Sequence, residues 1–247
     1  MVDADFAPRY LLGTVLPRGN MSHYQPYQFY RLVPQNVMLF GMPLGVRDFT
    51  GDAVHDAFDS YWDCADQLKK KGVQRIVQMG VPPAALMGRK AIFDLIAETE
   101  RRYGIPGGAD IEMLVDGMKH LGVRKLALGA FWSRDVNDVI ARYFAEADID
   151  VVGETSWPRE VTEDPNVSLA QGMELVLELG RRTFREAPTA DAILLPGGSW
   201  PTIHAVPKLE SEFGKPVFVN MTALVWGALC RPGIIPAIAG WGRLLQG

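Results

Sequence analysis

Four side chains in the sequence are candidates for moving a proton: His23, Tyr24, Glu112 and Glu154. His23 and Tyr24 follow the first predicted strand, in a polar and aromatic segment that we expect to be a loop, where catalytic groups often lie. Glu154 ends a predicted strand, where partial burial favours a general base. Glu112 opens a predicted helix, where its simplest role is an interaction with the helix dipole, although it would serve as a base if it faced a cleft. For His23, a surface position is the competing interpretation.

The run 191–202, DAILLPGGSWPT, predicts a short buried strand that leads into a glycine turn. Ligands of open α/β sheets bind beyond the carboxyl ends of the strands, so we expect this turn to border the site. The backbone N–H groups of Gly198 and Ser199 are available as donors, but the turn contains no thiol, carboxylate or imidazole. Its spacing matches neither a nucleophile elbow nor a nucleotide-binding loop. The turn is therefore predicted to bind a ligand without supplying its own acid or base.

Predicted strands and helices alternate along the chain, which predicts an α/β fold of parallel sheets flanked by helices. The segments 70–76 and 120–126 resemble each other, since each has a helix end, a glycine, a basic turn and a strand. This echo favours two pseudo-symmetric lobes with the site in the cleft between them. We expect an N-terminal lobe over 1–107, a C-terminal lobe over 108–225, and a C-terminal tail over 226–247 that returns to the first lobe. The segments 51–71 and 84–103 are each predicted to be one helix.

The composition is that of an ordinary globular protein: 247 residues, 48% hydrophobic and 22% charged, with a formal net charge of −4. Lysine and arginine form no cluster long enough for nucleic acid, and no apolar run is long enough to span a membrane. Cys64 and Cys230 form neither a metal-binding spacing nor a disulfide framework. We expect a cytoplasmic protein with no metal or cofactor and no nucleic-acid or membrane partner. A homo-oligomer is compatible with the sequence.

The sequence resembles arylmalonate decarboxylase in three stretches: 121–140 (LGVRKLALGAFWSRDVNDVI), 190–220 (ADAILLPGGSWPTIHAVPKLESEFGKPVFVN) and 240–245 (GWGRLL). That family belongs to the aspartate/glutamate racemase-like superfamily, together with maleate isomerase and hydantoin racemase. The resemblance extends over nearly the whole chain and is best in the second half. It implies two pseudo-symmetric α/β lobes with the active site between them, which agrees with the fold predicted above.

The departures from the family pattern concern its acid–base residues. The resemblance implies that the two cysteines of the racemases and isomerases fall at Gly80 and Gly197; the decarboxylases keep only the second cysteine. A hydroxyl pair of the decarboxylases falls at Val81 and Pro82, and a loop tyrosine falls at Trp132. Without thiolates at these positions, neither racemisation by two cysteines nor thiolate addition to a double bond is available.

We therefore expect an enzyme, a cofactor-independent lyase that decarboxylates a small organic acid. Decarboxylation needs an apolar wall for the leaving carboxylate and donors for the developing charge. The proton would come from His23, Tyr24 or bound water. The alternatives are a hydrolase or isomerase with His23, Glu112 or Glu154 as its base, and a protein that binds a small acid without catalysis. The predicted substrate-binding residues are Pro17, Leu44, Gly80, Val81, Pro82, Trp132, Gly197, Gly198, Ser199 and Trp200.

Overall fold

The computed structural model of the chain describes residues 8–18, 24–156, 168–197 and 200–247. Within these residues, strands form two four-stranded sheets in which every pairing is parallel. The strands are apolar and largely buried on both faces, as parallel strands covered by helices must be. Among the described residues, none of the helices is long and apolar enough to cross a membrane.

The first sheet has the strand order β2-β1-β3-β4. Its strands are β1 (Tyr10–Leu16), β2 (Val37–Pro43), β3 (Arg75–Gln78) and β4 (Gly107–Ala109). The helices of this lobe are α1 (Tyr24–Leu32), α2 (Gly51–Phe58), α3 (Tyr61–Lys70), α4 (Val81–Met87) and α5 (Arg89–Tyr103). Helix α6 (Asp110–His120) then leads to the second sheet.

The second sheet repeats the first, with the order β6-β5-β7-β8. Its strands are β5 (Lys125–Ala130), β6 (Asp150–Ser156), β7 (Ala192–Leu194) and β8 (Val217–Phe218). Its helices are α7 (Arg134–Ala145), α8 (Leu169–Glu186), α9 (Val206–Phe213) and α10 (Asn220–Val225), followed by α11 (Arg243–Gln246). A 3₁₀ turn (Thr202–His204) precedes α9, and a π-helix (Trp226–Cys230) follows α10. This repetition confirms the predicted fold of two pseudo-symmetric α/β lobes.

The predicted seam between the lobes lies inside a strand. Gly107, Gly108 and Ala109 pair with Ile76, Val77 and Gln78 of β3, so the first sheet extends two residues beyond the boundary expected at 107. The strand escaped sequence reasoning because glycine usually marks a turn. Here a side chain at 107 would come within 2.9 Å of the Ile96 backbone oxygen, so close packing of β4 on α5 requires glycine.

Three local predictions also differ from the structure. The polar segment that was predicted as a loop forms helix α1 from Tyr24 onward. The helix predicted over 51–71 is interrupted between α2 and α3, and the helix predicted over 84–103 is divided at Gly88, which has a φ of +84°. A positive φ is tolerated by glycine and ends a helix, so the chain changes direction between α4 and α5.

The C-terminal tail packs on α6 and on the second lobe. Leu244 of α11 lies against Gly117 of α6, and the backbone N–H of Arg243 donates to Glu210 of α9 at 2.9 Å. The tail was expected to return to the first lobe, whereas these contacts are with the connecting helix and the second lobe. The division of the chain at 226 remains a prediction.

A largely buried ion pair connects the two lobes. Arg89, at the start of α5, donates from Nε and Nη2 to the two carboxylate oxygens of Glu112 on α6, at 2.8 and 3.1 Å. The hydroxyl of Tyr143, on α7 of the second lobe, donates to the same carboxylate at 2.8 Å. Arg89 also donates to the carbonyl of Glu146, beyond the end of α7, at 2.8 Å. One carboxylate thus joins helices of both lobes.

We expect Glu112→Gln to lower the free energy of unfolding by about 2–3 kcal/mol, because it leaves the largely buried guanidinium of Arg89 without a counter-ion. Urea denaturation at pH 7 measures the loss. The matched control is Glu98→Gln, which breaks exposed pairs with Arg101 and Arg102 and should have little effect. Equal losses in the two variants would contradict a fastening role for Glu112.

Candidate active site

A cavity of about 1100 Å³ lies at the carboxyl ends of the strands, between the two sheets. Each sheet contributes the residues that follow its strands, which is where ligands bind in open α/β sheets. The first sheet contributes Pro17, Gly80 and Asp110, and the second contributes Phe131, Trp132, Gly197 and Asn220. The cavity is large enough for a small organic ligand.

A chain of hydrogen bonds crosses the cavity from one lobe to the other. The backbone N–H of Gly80 donates to Oδ2 of Asp110 at 2.9 Å, and Nδ2 of Asn220 donates to the same oxygen at 2.8 Å. The backbone N–H of Gly197 donates to Oδ1 of Asn220 at 2.9 Å. Asp110 begins the helix after β4, and Asn220 begins the helix after β8, so the two side chains occupy equivalent places in the two lobes. The two glycines are equivalent in the same way, since they follow β3 and β7.

Among the described residues that line the cavity, Asp110 is the least solvated acid. The residue is fully buried, and its Oδ1 has no hydrogen-bond partner among the described residues. Burial raises the pKa of Asp110 to about 6, while the hydrogen bonds from Gly80 and Asn220 act in the opposite direction. The backbone N–H of Ile111 acts in the same direction as these two donors, and all three groups are neutral, so no cation offsets the cost of burying a carboxylate here.

An apolar wall forms one part of the cavity lining. Val81 and Pro82 open α4 directly after Gly80 and are buried. Phe131 and Trp200 stack on each other, with ring centroids 4.6 Å apart and planes inclined by 11°. The wall is made of Pro17, Val81, Pro82, Pro83, Phe131, Trp132 and Trp200.

Gln28 of α1 holds the loop that carries Trp200. Its Nε2 donates to the Trp200 carbonyl at 2.8 Å, and its Oε1 accepts from the backbone N–H of Ile203 at 3.0 Å and from the Thr202 hydroxyl at 3.2 Å. The side chain is fully buried. A helix of the first lobe therefore positions an aromatic residue that the second lobe contributes to the cavity.

Polar and charged groups complete the lining. Oε1 of Glu154, at the end of β6, accepts from Asn137 at 2.9 Å and from Ser156 at 3.2 Å. Arg18, Arg134 and Arg182 also line the cavity, and each is a cation that could hold a carboxylate. The Arg18 guanidinium donates to two backbone carbonyls and lies 4.6 Å from the centre of the Phe49 ring, so its position is defined. Among the described residues, no three histidines, cysteines or acids are grouped as a metal site requires.

The cavity brings together most of the predicted substrate-binding residues. Those that line it are Pro17, Gly80, Val81, Pro82, Trp132, Gly197 and Trp200. Gly198 and Ser199 lie outside the described residues. Leu44 is placed elsewhere: its backbone N–H donates to the Leu16 carbonyl, and its side chain is buried in the core of the first lobe. The residue continues the pairing of β2 with β1 beyond the sheet, which directs it into that core.

Of the four predicted acid–base residues, the structure describes Tyr24, Glu112 and Glu154. His23 lies outside the described residues. Tyr24 is the first residue of α1. Among the described residues of α1, Gln25 lines the cavity and Tyr24 does not. Glu112 is committed to the ion pair with Arg89 and does not appear in that lining, so the geometry gives it a structural role. Glu154 does line the cavity.

Sequence reasoning missed Asp110, Asn220 and Phe131. Asp110 lies at the start of the helix that was predicted around Glu112, where an acid is favourable for any helix. Its partner is 110 residues away in the chain, and no local pattern reveals such a contact. The equivalence of Asp110 and Asn220 in the two halves was hidden, because the strand before Asp110 was itself not predicted.

Neither cysteine of the chain lines the cavity. Cys64 is buried in the first lobe, where its thiol lies 3.5 Å from the Pro43 carbonyl, and burial followed by the charge of Asp63 raises its pKa. Cys230 lies in the π-helix, and burial raises its pKa to about 11. Neither thiol is in the described lining of the cavity, and burial raises the pKa of both, which disfavours the reactive thiolate.

The fold and the cleft together define the class of protein. Two parallel α/β sheets of equivalent order, with a cavity between their strand ends, place the chain in the aspartate/glutamate racemase superfamily. Within that superfamily, the family model for arylmalonate decarboxylase matches residues 19–245, and the chain belongs to this family.

Two relatives match this chain in sequence, and two solved structures share its fold. The chain is 29% identical to arylmalonate decarboxylase of Bordetella bronchiseptica over 204 residues, 82% of this chain and 84% of the relative. It is 26% identical to maleate isomerase of Geobacillus stearothermophilus over 135 residues, 54% of this chain and 52% of the relative. A crystal structure of arylmalonate decarboxylase has a TM-score of 0.79 at 28% identity, covering 95% of this chain and 98% of that chain. Maleate isomerase Iso from Pseudomonas putida S16, at 18% identity, shares the fold with a TM-score of 0.81 over 96% and 98% of the two chains.

The two glycines of the cleft differ in how strictly they are required. Gly80 has a φ of +107°, and a Cβ there would lie 2.9 Å from Cγ of Pro17. Gly197 has a φ of +140°, but the nearest atom to its Cβ, in Trp200, would be 3.8 Å away. We expect Gly197→Ala to cost about 1–3 kcal/mol through backbone strain, and Gly80→Ala to cost more because of the additional clash. Urea denaturation of both variants measures the difference.

The control is Pro17→Ala, alone and combined with Gly80→Ala. Removing the proline ring should recover the part of the Gly80→Ala loss that arises from the clash, which a double-mutant cycle isolates. A larger loss for Gly197→Ala, or no coupling between positions 17 and 80, would contradict this account.

Burial of Asp110 predicts a pH-dependent effect of Asp110→Asn on stability. Its pKa is raised from 3.8 to about 6, so the folded protein binds a proton more tightly than the unfolded chain does. The resulting stability is fully present below about pH 4 and is lost as pH rises through 6. The variant has no such dependence. We expect its free energy of unfolding, relative to the parent protein, to increase by up to about 3 kcal/mol between pH 4 and pH 8. A difference that does not change with pH would contradict the burial of an ionisable group.

Proposed function

We propose that this protein is a cofactor-independent decarboxylase that removes one carboxylate from a small disubstituted acid, without a catalytic cysteine. The substrate class is a malonate that carries an aromatic or alkenyl group on its α-carbon. The observation that carries the proposal is the placing of the apolar wall and the arginines around one cavity, in a chain of the arylmalonate decarboxylase family. The stacked pair of Phe131 and Trp200 offers a flat apolar surface for the substituent.

The two carboxylates of such a substrate would meet different surroundings. A carboxylate against Val81, Pro82 and Pro83 loses hydration without gaining a donor, which favours its departure as uncharged CO₂. The other carboxylate remains on the product and takes up the negative charge left on the α-carbon as an enediolate. Cations such as Arg18 and Arg134 stabilise the enediolate charge more strongly than they stabilise the more dispersed charge of the bound substrate. The backbone N–H groups of Gly198 and Ser199, which the sequence predicts to be donors, would stabilise the same charge.

A second candidate is proton-transfer isomerisation or hydrolysis with Glu154 as general base. The observation in its favour is that Glu154 lines the cavity and is oriented by Asn137 and Ser156. The route through a cysteine adduct is not open here. A solved structure of a mutant maleate cis-trans isomerase of Nocardia farcinica contains a covalently bound succinylcysteine intermediate, whereas both thiols of this chain lie away from the cleft.

The test is turnover of phenylmalonate, an alkenylmalonate, maleate and a cyclic amide by the purified protein at pH 7, followed by NMR. We expect CO₂ release from the malonates, with kcat of Cys64→Ala/Cys230→Ala within about twofold of the parent protein, because neither thiol reaches the cleft. Loss of more than tenfold in that double variant would contradict thiol-free chemistry. Turnover of maleate or the amide alone, abolished by Glu154→Gln, would favour the second candidate. Binding of phenylmalonate without any turnover would indicate a non-catalytic small-acid binder.

A further inference from the structure

We propose that Asp110 is the acid that delivers the proton to the α-carbon in the cleft, the step for which the chain has no cysteine. This inference rests on the proposed decarboxylase function. It names a catalytic residue in a position where sequence reasoning expected only a helix start, and it replaces His23 and Tyr24 as the proton source.

The hydrogen-bond directions around Asp110 are fixed by the backbone. The N–H of Gly197 can only donate, so the atom of Asn220 that faces it is the amide oxygen, and the NH₂ group of Asn220 must face Asp110. Oδ2 of Asp110 thus accepts from two donors, Asn220 and the N–H of Gly80. A proton on the carboxyl group is therefore placed on Oδ1, because the lone pairs of Oδ2 are already engaged.

Oδ1 is the atom of Asp110 that has no partner. It is buried and makes no hydrogen bond to any described residue, although Asp110 is one of the residues that line the cavity. A buried polar atom without a partner is costly, so such atoms often mark a site that a ligand or water completes. A substrate carbon next to Oδ1 would receive the proton directly.

The surroundings of Asp110 favour the neutral acid. The elements that make the most contacts with α6 are β4, α4, α10 and the π-helix, and their one ionisable side chain is Cys230, which contacts the Pro236 carbonyl. The cations on other segments that touch α6 have their own partners. Arg89 of α5 pairs with Glu112, Arg231 pairs with Asp116, and the guanidinium of Arg243 in α11 donates to the Gly214 carbonyl. Tyr143 is also near, but its hydroxyl donates to Glu112. No cation in these elements stabilises a charge on Asp110, in keeping with its pKa of about 6. A bound anionic acid raises that pKa further, since two like charges oppose each other.

The reaction needs only the substrate and one proton, which Asp110 delivers and the solvent replaces. The bond between the α-carbon and the leaving carboxylate breaks, CO₂ departs, and the bonding electron pair stays on the α-carbon as an enediolate. The O–H bond of Asp110 then breaks, and its proton forms a C–H bond with that carbon. The products are CO₂ and the monoacid, and water returns a proton to Asp110 before the next turnover.

The first test is kinetic, with phenylmalonate and the variants Asp110→Asn, Asp138→Asn and His23→Phe. Asp110→Asn keeps the acceptor for Gly80 and Asn220 but has no acidic proton, so we expect kcat to fall at least about 100-fold with KM changed less than about threefold. Asp138→Asn makes the same chemical change at an exposed position of α7 and should leave kcat unaltered. In the parent protein, kcat/KM should fall as pH rises above about 6, as the free enzyme loses its acidic proton. Full activity in Asp110→Asn, with loss in His23→Phe, would overturn the inference while the proposed function stands.

The second test does not depend on turnover. Carbon NMR of protein labelled at aspartate carboxyl carbons should show one signal, absent from Asp110→Asn, that titrates near pH 6. Phenylacetate, the product monoacid of phenylmalonate, should move that titration to higher pH. If the parent protein releases no CO₂ from malonates, the proposed function fails, and this titration decides on Asp110: a shift supports contact with the bound acid, and no shift overturns it.

Discussion

The cleft depends on one constraint, the sharing of a buried carboxyl group between two lobes without a cation. Asp110 is held by the N–H of Gly80 from its own lobe and by Asn220 from the other, and Asn220 is in turn fixed by Gly197. Each link uses a group at the carboxyl end of a strand, and the bond between Asp110 and Asn220 depends on the relative position of the two sheets. The glycines belong to this constraint, because both have positive φ and Gly80 lies against Pro17.

Two acids in the first turn of α6 illustrate how surroundings assign roles. Glu112 meets the guanidinium of Arg89 and the hydroxyl of Tyr143, and this pairing fastens the lobes. Asp110, two residues earlier, meets only neutral donors, and one of its oxygens has no partner in the part of the chain that the structure describes. When two carboxyl groups lie in contrasting environments, one often stays ionised while the other keeps its proton and acts as an acid. The family's thiol is thus replaced, in our proposal, by a carboxyl group from a different strand end.

The sequence predicted the fold and the place of the site more fully than its chemistry. Alternating strands and helices with an internal echo indicated two lobes, and the apolar residues Val81, Pro82 and Trp200, which were expected at the strand ends, line the cavity. Leu44 was predicted to bind the substrate but lies in the core of the first lobe, because an apolar residue after a strand is equally suited to a core. The contact of Asp110 with Asn220 joins opposite halves of the chain, so it could not be read from spacing within either half. Glycine-rich β4 was missed because its sequence is that of a turn, and its conformation is imposed by packing on α5.

A crystal structure with phenylacetate bound tests the central claim most directly. The account predicts that the monoacid lies in the inter-lobe cavity, with its aromatic ring against Phe131 and Trp200 and its α-carbon within about 3.5 Å of Oδ1 of Asp110, the distance of a reactive complex. The hydrogen bonds from Gly80 and Asn220 to Oδ2 should persist. A ligand bound outside this cavity, or one whose α-carbon is separated from Asp110 by intervening protein atoms, would contradict the account.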